Sequence, residues 1–210
     1  MGIARCGVSL ATRQYEPGPQ DLAHFKVSRE KAPTKPKPEQ KRGRRRMQIS
    51  NVTFDDIAIG DTATYTRLIT NQEVEAFAAI SGDHNPLHLD PEYAATTAFG
   101  ECIAHGMLTG ALISAAIAMQ LPGPGSVYLS QNIQFRAPVF LGDTLTVTLE
   151  VTDKHGKRPW VTLGCTVESQ AGKVVAKGEA QVAAPTEKET VTVVPPPAIQ
   201  LLEEVTLASD

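Results

Sequence analysis

Residues 104–120 read AHGMLTGALISAAIAMQ. A helix over this run has almost no polar face, because Met107, Leu108, Leu112, Ile113 and Ile117 are joined by alanines on every side of the turn. A helix apolar all round has to be covered all round, so the rest of the chain must supply a layer that wraps it. At about 1.5 Å per residue the helix runs roughly 25 Å, the depth of a small domain. PGPG at 122–125 stops it.

The covering layer follows directly. Segments 126–136, 143–153, 160–170 and 173–183 are long and alternating, with turn residues at 137–143, at His155-Gly156 and at Ala171-Gly172. Consecutive long strands with tight turns predict an antiparallel sheet. Upstream, Thr62–Ile69 (TATYTRLI) predicts a fifth strand, and Thr70-Asn71-Gln72-Glu73 has the form of a capping box that starts a helix. Val74, Phe77 and Ala78 give that helix a buried face, and Gly82 ends it. Residues 81–90 form a loop in which Pro86 denies a helix to the residues before it. Asp90-Pro91 then starts a short helix over 91–97. The fold class is α+β: a five-stranded antiparallel sheet wrapped round a central buried helix.

Charge divides the chain. Residues 1–46 hold twelve Lys or Arg and four Asp or Glu. KAPTKPKPEQKRGRRR, rich in Pro and charge, predicts a disordered basic extension over 1–46. KRGRRR reads as a solvated tail or as a nucleic-acid or localisation patch. Met47, just before the folded body, is an alternative start. The folded domain is expected over 47–185, with a Pro-containing linker or tail over 186–210. From 47 onward there are eight basic and nineteen acidic residues, a formal charge of −11, so nucleic acid is not expected to bind this part. No apolar run of about 18 residues occurs, so no membrane span is expected. Cys6, Cys102 and Cys165 are odd in number and unpaired in spacing. They argue against a disulfide framework and fit a reducing, cytoplasmic compartment.

The chemistry concentrates in SGDHNPLHLDP, 81–91. Asp83 and His88 together can hold one water and move its proton, and a His needs little adjustment to work near neutral pH. Equally, Asp83 and Asn85 are residue types that cap turns. His105-Gly106 opens the apolar helix, where the first N–H groups lack partners and carry partial positive charge. Gly there lets a carbonyl approach, or simply permits a tight first turn. Ser114 bonds back to a carbonyl four residues earlier, or else meets Asp83 or substrate. His84, His88, His105, Asp83 and Asp90 are metal-ligand types, but Pro86 removes a shared helical face from His84 and His88, and no metal is expected. No G-x-S-x-G run occurs, which argues against a serine hydrolase.

The run FAAISGDHNPLHLDPEYAATTAFGECIAHGM (77–107) resembles the MaoC-like hydratases, (R)-specific enoyl-CoA hydratases of the hotdog fold. Their Gly/Glu-Asp-x-Asn-Pro-x-His signature is met here by Gly82-Asp83-His84-Asn85-Pro86-Leu87-His88. LPGPGSVYLSQNIQFRAPVFLGD (121–143) is similar to the family's strand after the central helix, and the resemblance spans about 52–185. It implies that Asp83 and His88 are the catalytic pair and that Asn85 shapes the loop. It further implies that the Gly106 N–H binds the thioester carbonyl and that Ser114 is an active-site Ser; Asn85, Ser114 and His105 are the residues expected to meet the substrate. The implied reaction is reversible hydration of trans-2-enoyl-CoA to (R)-3-hydroxyacyl-CoA. No metal or redox cofactor is needed, because the thioester stabilises the enolate. One five-stranded sheet round one helix leaves open edges that pairing can cover, so a homodimer or higher homo-oligomer is expected, and the carrier of the acyl chain is CoA or acyl carrier protein. The C-terminal stretch looks like the linker that joins some relatives to a phosphate acetyltransferase. Two alternatives stay open: a hotdog acyl-CoA thioesterase, and a non-catalytic acyl-thioester-binding subunit.

Overall fold

The structure, a computed structural model, describes residues 47–195 and residue 199. The basic extension over 1–46 and the end of the tail lie outside the described residues. The element order is β1 (Met47–Ser50), β2 (Thr62–Leu68), α1 (Asn71–Ser81), α2 (Pro86–Leu89), α3 (Pro91–Ala95) and α4 (Gly106–Met119), followed by β3 (Val127–Phe135), β4 (Thr144–Lys154), β5 (Trp160–Ser169), β6 (Val174–Ala183) and β7 (Thr190–Val193).

Five strands form one antiparallel sheet in the order β2-β4-β5-β6-β3, and α4 packs against it. Alternation sets the inner face. Val147, Leu149 and Val151 on β4, Leu163 and Val167 on β5, and Ala180 and Val182 on β6 are buried, with Ile113, Ala116 and Ile117 of α4 in the same core. The register keeps these side chains in facing pairs, Val147 with Val167 and Leu163 with Ala180.

The predicted caps form. Thr70 and Glu73 close a capping box at the start of α1, with Thr70 N–H donating to Glu73 Oε2 at 2.9 Å. Gly82 ends the helix in the left-handed region at φ 74°.

Three expectations change. First, α4 is not covered on every side. Met107 is 59% exposed, and Ala111, Ser114 and Ala118 continue an exposed stripe at helical spacing. A single five-stranded sheet reaches round only part of a helix. Second, the loop over 81–90 contains the helical turn α2. Asn85 caps it by accepting from Leu87 N–H at 3.0 Å, and Pro86 takes the first helical position, where its missing N–H costs nothing.

Third, structure continues past residue 185, into the stretch expected to be linker. β7 pairs antiparallel with β1, from Met47 opposite Val193 to Ser50 opposite Thr190. Buried Asn51 locks this clasp: its side chain donates to the Glu187 carbonyl and accepts from Glu189 N–H, both at 2.9 Å. Asn51→Ala is expected to cost about 1–3 kcal/mol by leaving those backbone groups unpaired. Chemical denaturation of both proteins measures this, and equal midpoints would show that the clasp adds nothing to stability.

Among the described residues no helix is long and apolar enough to cross a membrane.

Candidate active site

The segment from Gly82 to Gly106 folds so that Asp83, His88 and His105 come together. Their ligand-type atoms all lie within 4.8 Å of one another. Asp83 stands in the turn after α1. Its Oδ1 accepts from Asn85 N–H at 3.3 Å, and its side chain is 53% exposed. That bond holds the carboxylate against the loop and leaves Oδ2 turned toward His88.

His88 is buried on α2. Its Nδ1 is 2.7 Å from the Ile103 carbonyl, which can only accept, so Nδ1 carries the proton and Nε2 presents a lone pair. The distance from Nε2 to Asp83 Oδ2 is 4.0 Å. This is too long for a direct hydrogen bond and suits one water held by both atoms.

His105 caps α4 without a side-chain capping bond. Its Nε2–H donates to the Asp83 carbonyl at 3.0 Å, and its ring lies 3.8 Å from that of His88 and 5.1 Å from that of Phe77. It is 2% exposed, and among the described residues its Nδ1 has no partner. The polar contact that the structure gives His105 is thus to the loop that carries Asp83.

A cleft of about 330 Å³ opens beside these groups, lined by His88, Gly106, Thr109, Phe99, Phe135 and Arg136 among others. Gly106 is exposed at its edge, and among the described residues no backbone carbonyl accepts its N–H. A Cβ on Gly106 would sit 3.2 Å from the Phe135 ring, so that ring and the bare backbone together form a narrow slot. Ser114 is not brought to this cleft. It lies on the exposed stripe of α4, about 12 Å along the axis from Gly106.

Sequence patterns did not point to the Ile103 carbonyl or to the Phe77 and Phe135 rings. A main-chain acceptor has no residue signature. Phe135 does end an alternating strand, which was the available signal.

Asp83, His88 and His105 are also of metal-ligand type: His88 Nδ1 and His105 Nε2 each meet a carbonyl, which leaves His88 Nε2 and His105 Nδ1 as the nitrogens with no protein hydrogen bond among the described residues. Neither described thiol is primed as a nucleophile. Burial pushes Cys165 up to about 11, and burial, followed by the charges of Asp90 and Glu101, raises Cys102.

Residues 38–182 match the MaoC like domain. The (R)-specific enoyl-CoA hydratase of Aeromonas caviae is 46% identical over 134 residues, 64% of this chain and 100% of that protein. The 3-hydroxybutyryl-CoA dehydratase of Methylorubrum extorquens is 45% identical over 65% of this chain and 86% of its own length. Among solved structures, the unliganded R-hydratase PhaJ1 of Pseudomonas aeruginosa superposes with a TM-score of 0.71 at 50% identity, covering 74% of this chain and 99% of that one. The slot, the Asp83–His88 pair and these likenesses lead to one conclusion: the chain belongs to the MaoC-like domain family and has its hotdog fold.

Proposed function

We propose that this chain is a hydro-lyase that reversibly adds water to a trans-2-enoyl thioester of CoA, giving the (R)-3-hydroxyacyl thioester. The observation that carries the proposal is the 4.0 Å gap between Asp83 Oδ2 and His88 Nε2, beside an unpaired N–H at Gly106. Water fits between the two acceptors, each taking one O–H. The Gly106 N–H donates to the thioester carbonyl and gains strength as negative charge develops there. The water oxygen bonds to C3 as its proton passes to the Asp83–His88 pair. The C2=C3 electrons move onto the carbonyl as an enolate, and the pair returns one proton to C2. Protons balance, and the thioester itself holds the transient charge.

The test is loss of the enoyl-thioester absorbance of crotonyl-CoA in the absence of free thiol, with the R isomer identified on a chiral column. Release of thiol would move the assignment to a thioesterase. Tight binding of crotonyl-CoA without turnover would leave only a binding subunit.

His105 serves this site as a positioning residue. It ties the Asp83 backbone, stacks on His88 and precedes Gly106, so it sets the three reacting groups relative to one another. His105→Phe keeps a flat ring and removes the donor. It is expected to lower kcat about 10-fold or more with little change in KM. A shift in KM alone would return His105 to the role of substrate contact.

The same reading includes a homodimer. The edge strand β3 exposes Val127, Tyr128, Leu129 and Phe135, and α4 presents its uncovered stripe. Both are surfaces that a second copy would cover. Ser114 shares that stripe, so a place beside substrate would depend on what the second copy brings against the helix. Light scattering that finds an active monomer would overturn the dimer. A cytoplasmic location fits the odd, unpaired cysteines.

A further inference from the structure

A thioester of CoA or of acyl carrier protein is anionic at the far end of its arm, because both carriers place a phosphate ester beyond the pantetheine amides. Residues 47–210 carry a formal charge of −11, so the placement of their few cations is informative. Arg67 is held by Glu73. Lys154 is turned to the Phe54 and Ile57 carbonyls. Arg158 lies over the Trp160 ring at 4.5 Å. Lys157 and Lys173 sit in hairpin turns, and Lys188 precedes β7. Arg136 is the basic residue that lines the reaction cleft.

Its setting separates the cation from the reacting carbonyl. Phe135 points inward to Gly106. Its sequence neighbours Gln134 and Arg136 point to the opposite face of the sheet. Arg136 Nη2 donates to Gln134 Oε1 at 2.5 Å, which places the two on one face. Lys177 is the cross-strand partner of Gln134 and shares that face. Arg136, Gln134, Lys177, Asn132 and Glu179 line a second hollow of about 280 Å³ that meets the cleft at Arg136. Glu179 pairs opposite Asn132, further from the cleft than Lys177. The carbonyl site thus lies on one side of the sheet edge and a cationic pair on the other, as an extended arm with a charged end requires.

We propose that Arg136, steadied by Gln134 and backed by Lys177, anchors the phosphate of the thioester's carrier arm. This rests on the reading of the cleft as a thioester site. A planar guanidinium matches phosphate oxygens in pairs and keeps its charge at any working pH.

The test uses saturated butyryl-CoA, which cannot be hydrated, against butyryl-pantetheine, which lacks phosphate. Calorimetry on wild type should give tighter binding of butyryl-CoA. Arg136→Ala should weaken it about 10-fold or more and leave butyryl-pantetheine unchanged. Lys177→Gln should weaken it a few-fold, and Arg158→Gln should have no effect. Arg136→Lys, which keeps the charge, covers the case in which the alanine variant fails to fold, and should retain part of the preference. Equal binding of both ligands by wild type, or an equal loss of both in Arg136→Ala, overturns the proposal. With crotonyl thioesters, kcat/KM should fall in Arg136→Ala for the CoA carrier. A loss confined to the acyl-carrier-protein thioester would mean that Arg136 meets a protein surface instead, and also overturns it. If wild type hydrates nothing but the binding preference holds, the hydratase reading fails and the anchor stands. If hydration holds and the preference is absent, the anchor alone fails.

Discussion

Asp83→Asn is expected to lower kcat/KM for crotonyl-CoA by about 10²–10⁴-fold, the usual reach of a positioned acid–base group. The substitution is nearly isosteric. The amide oxygen can still accept from Asn85 N–H, so the turn survives, and the half-exposed site leaves no buried charge to strand. What is lost is the acceptor that takes the proton from water. The melting temperature should therefore stay close to wild type while the rate collapses. His88→Gln should lose rate on a similar scale, and also some stability, because the buried bond to the Ile103 carbonyl goes with the ring. Steady-state kinetics with thermal melts on the same samples separates the two effects. A near-wild-type rate in Asp83→Asn would remove Asp83 from the chemistry.

The second large effect concerns stability. At Gly178 a Cβ would come within 1.9 Å of the Asn132 carbonyl oxygen and 2.9 Å of the Ile133 Cα. Both are backbone atoms of β3, and neither can rotate away. Gly178→Ala should therefore push β3 off β6 at a cost of about 3 kcal/mol or more, at or beyond the usual range for overpacking. For a protein of this size that lowers the melting temperature by about 10 °C. Gly156→Ala, in the β4–β5 hairpin where nothing lies within 4 Å of a new Cβ, should be near neutral. Calorimetry on the pair decides it: equal melting temperatures would mean that the two strands are not in such close contact. Because β3 also carries Phe135 and Arg136, a partly folded Gly178 variant should lose thioester binding as well.

The elements that sequence reveals well are those whose signal is local. Thr70 and Glu73 state a helix start within four residues, and β4, β5 and β6 announce themselves by alternation, so their positions follow to within a residue or two. The clasp between β1 and β7 was missed because each strand has only four residues and its partner lies about 140 positions away. TVTV at 190–193 alternates, but a Pro run follows it at once. For α4, composition indicated burial without saying how much of the covering one chain could provide. In the site, the types and spacing of Asp83, Asn85 and His88 were informative. Asn85 proved to cap a turn, one of the readings its type allowed. The part of His105 was not legible, because it depends on a main-chain carbonyl 22 residues away and on a ring stacked from another element.

The β1–β7 clasp has a topological consequence. Met47 and Val193 face each other across one strand spacing, about 4.8 Å. The described body is thus nearly a closed loop of chain, fastened by Asn51. A few flexible residues from Val193 to Met47 would complete the circle, and new ends could be opened at the exposed tip around Gly156 without touching the cleft. The linear order in which this domain is written is separable from the architecture that places its reactive groups.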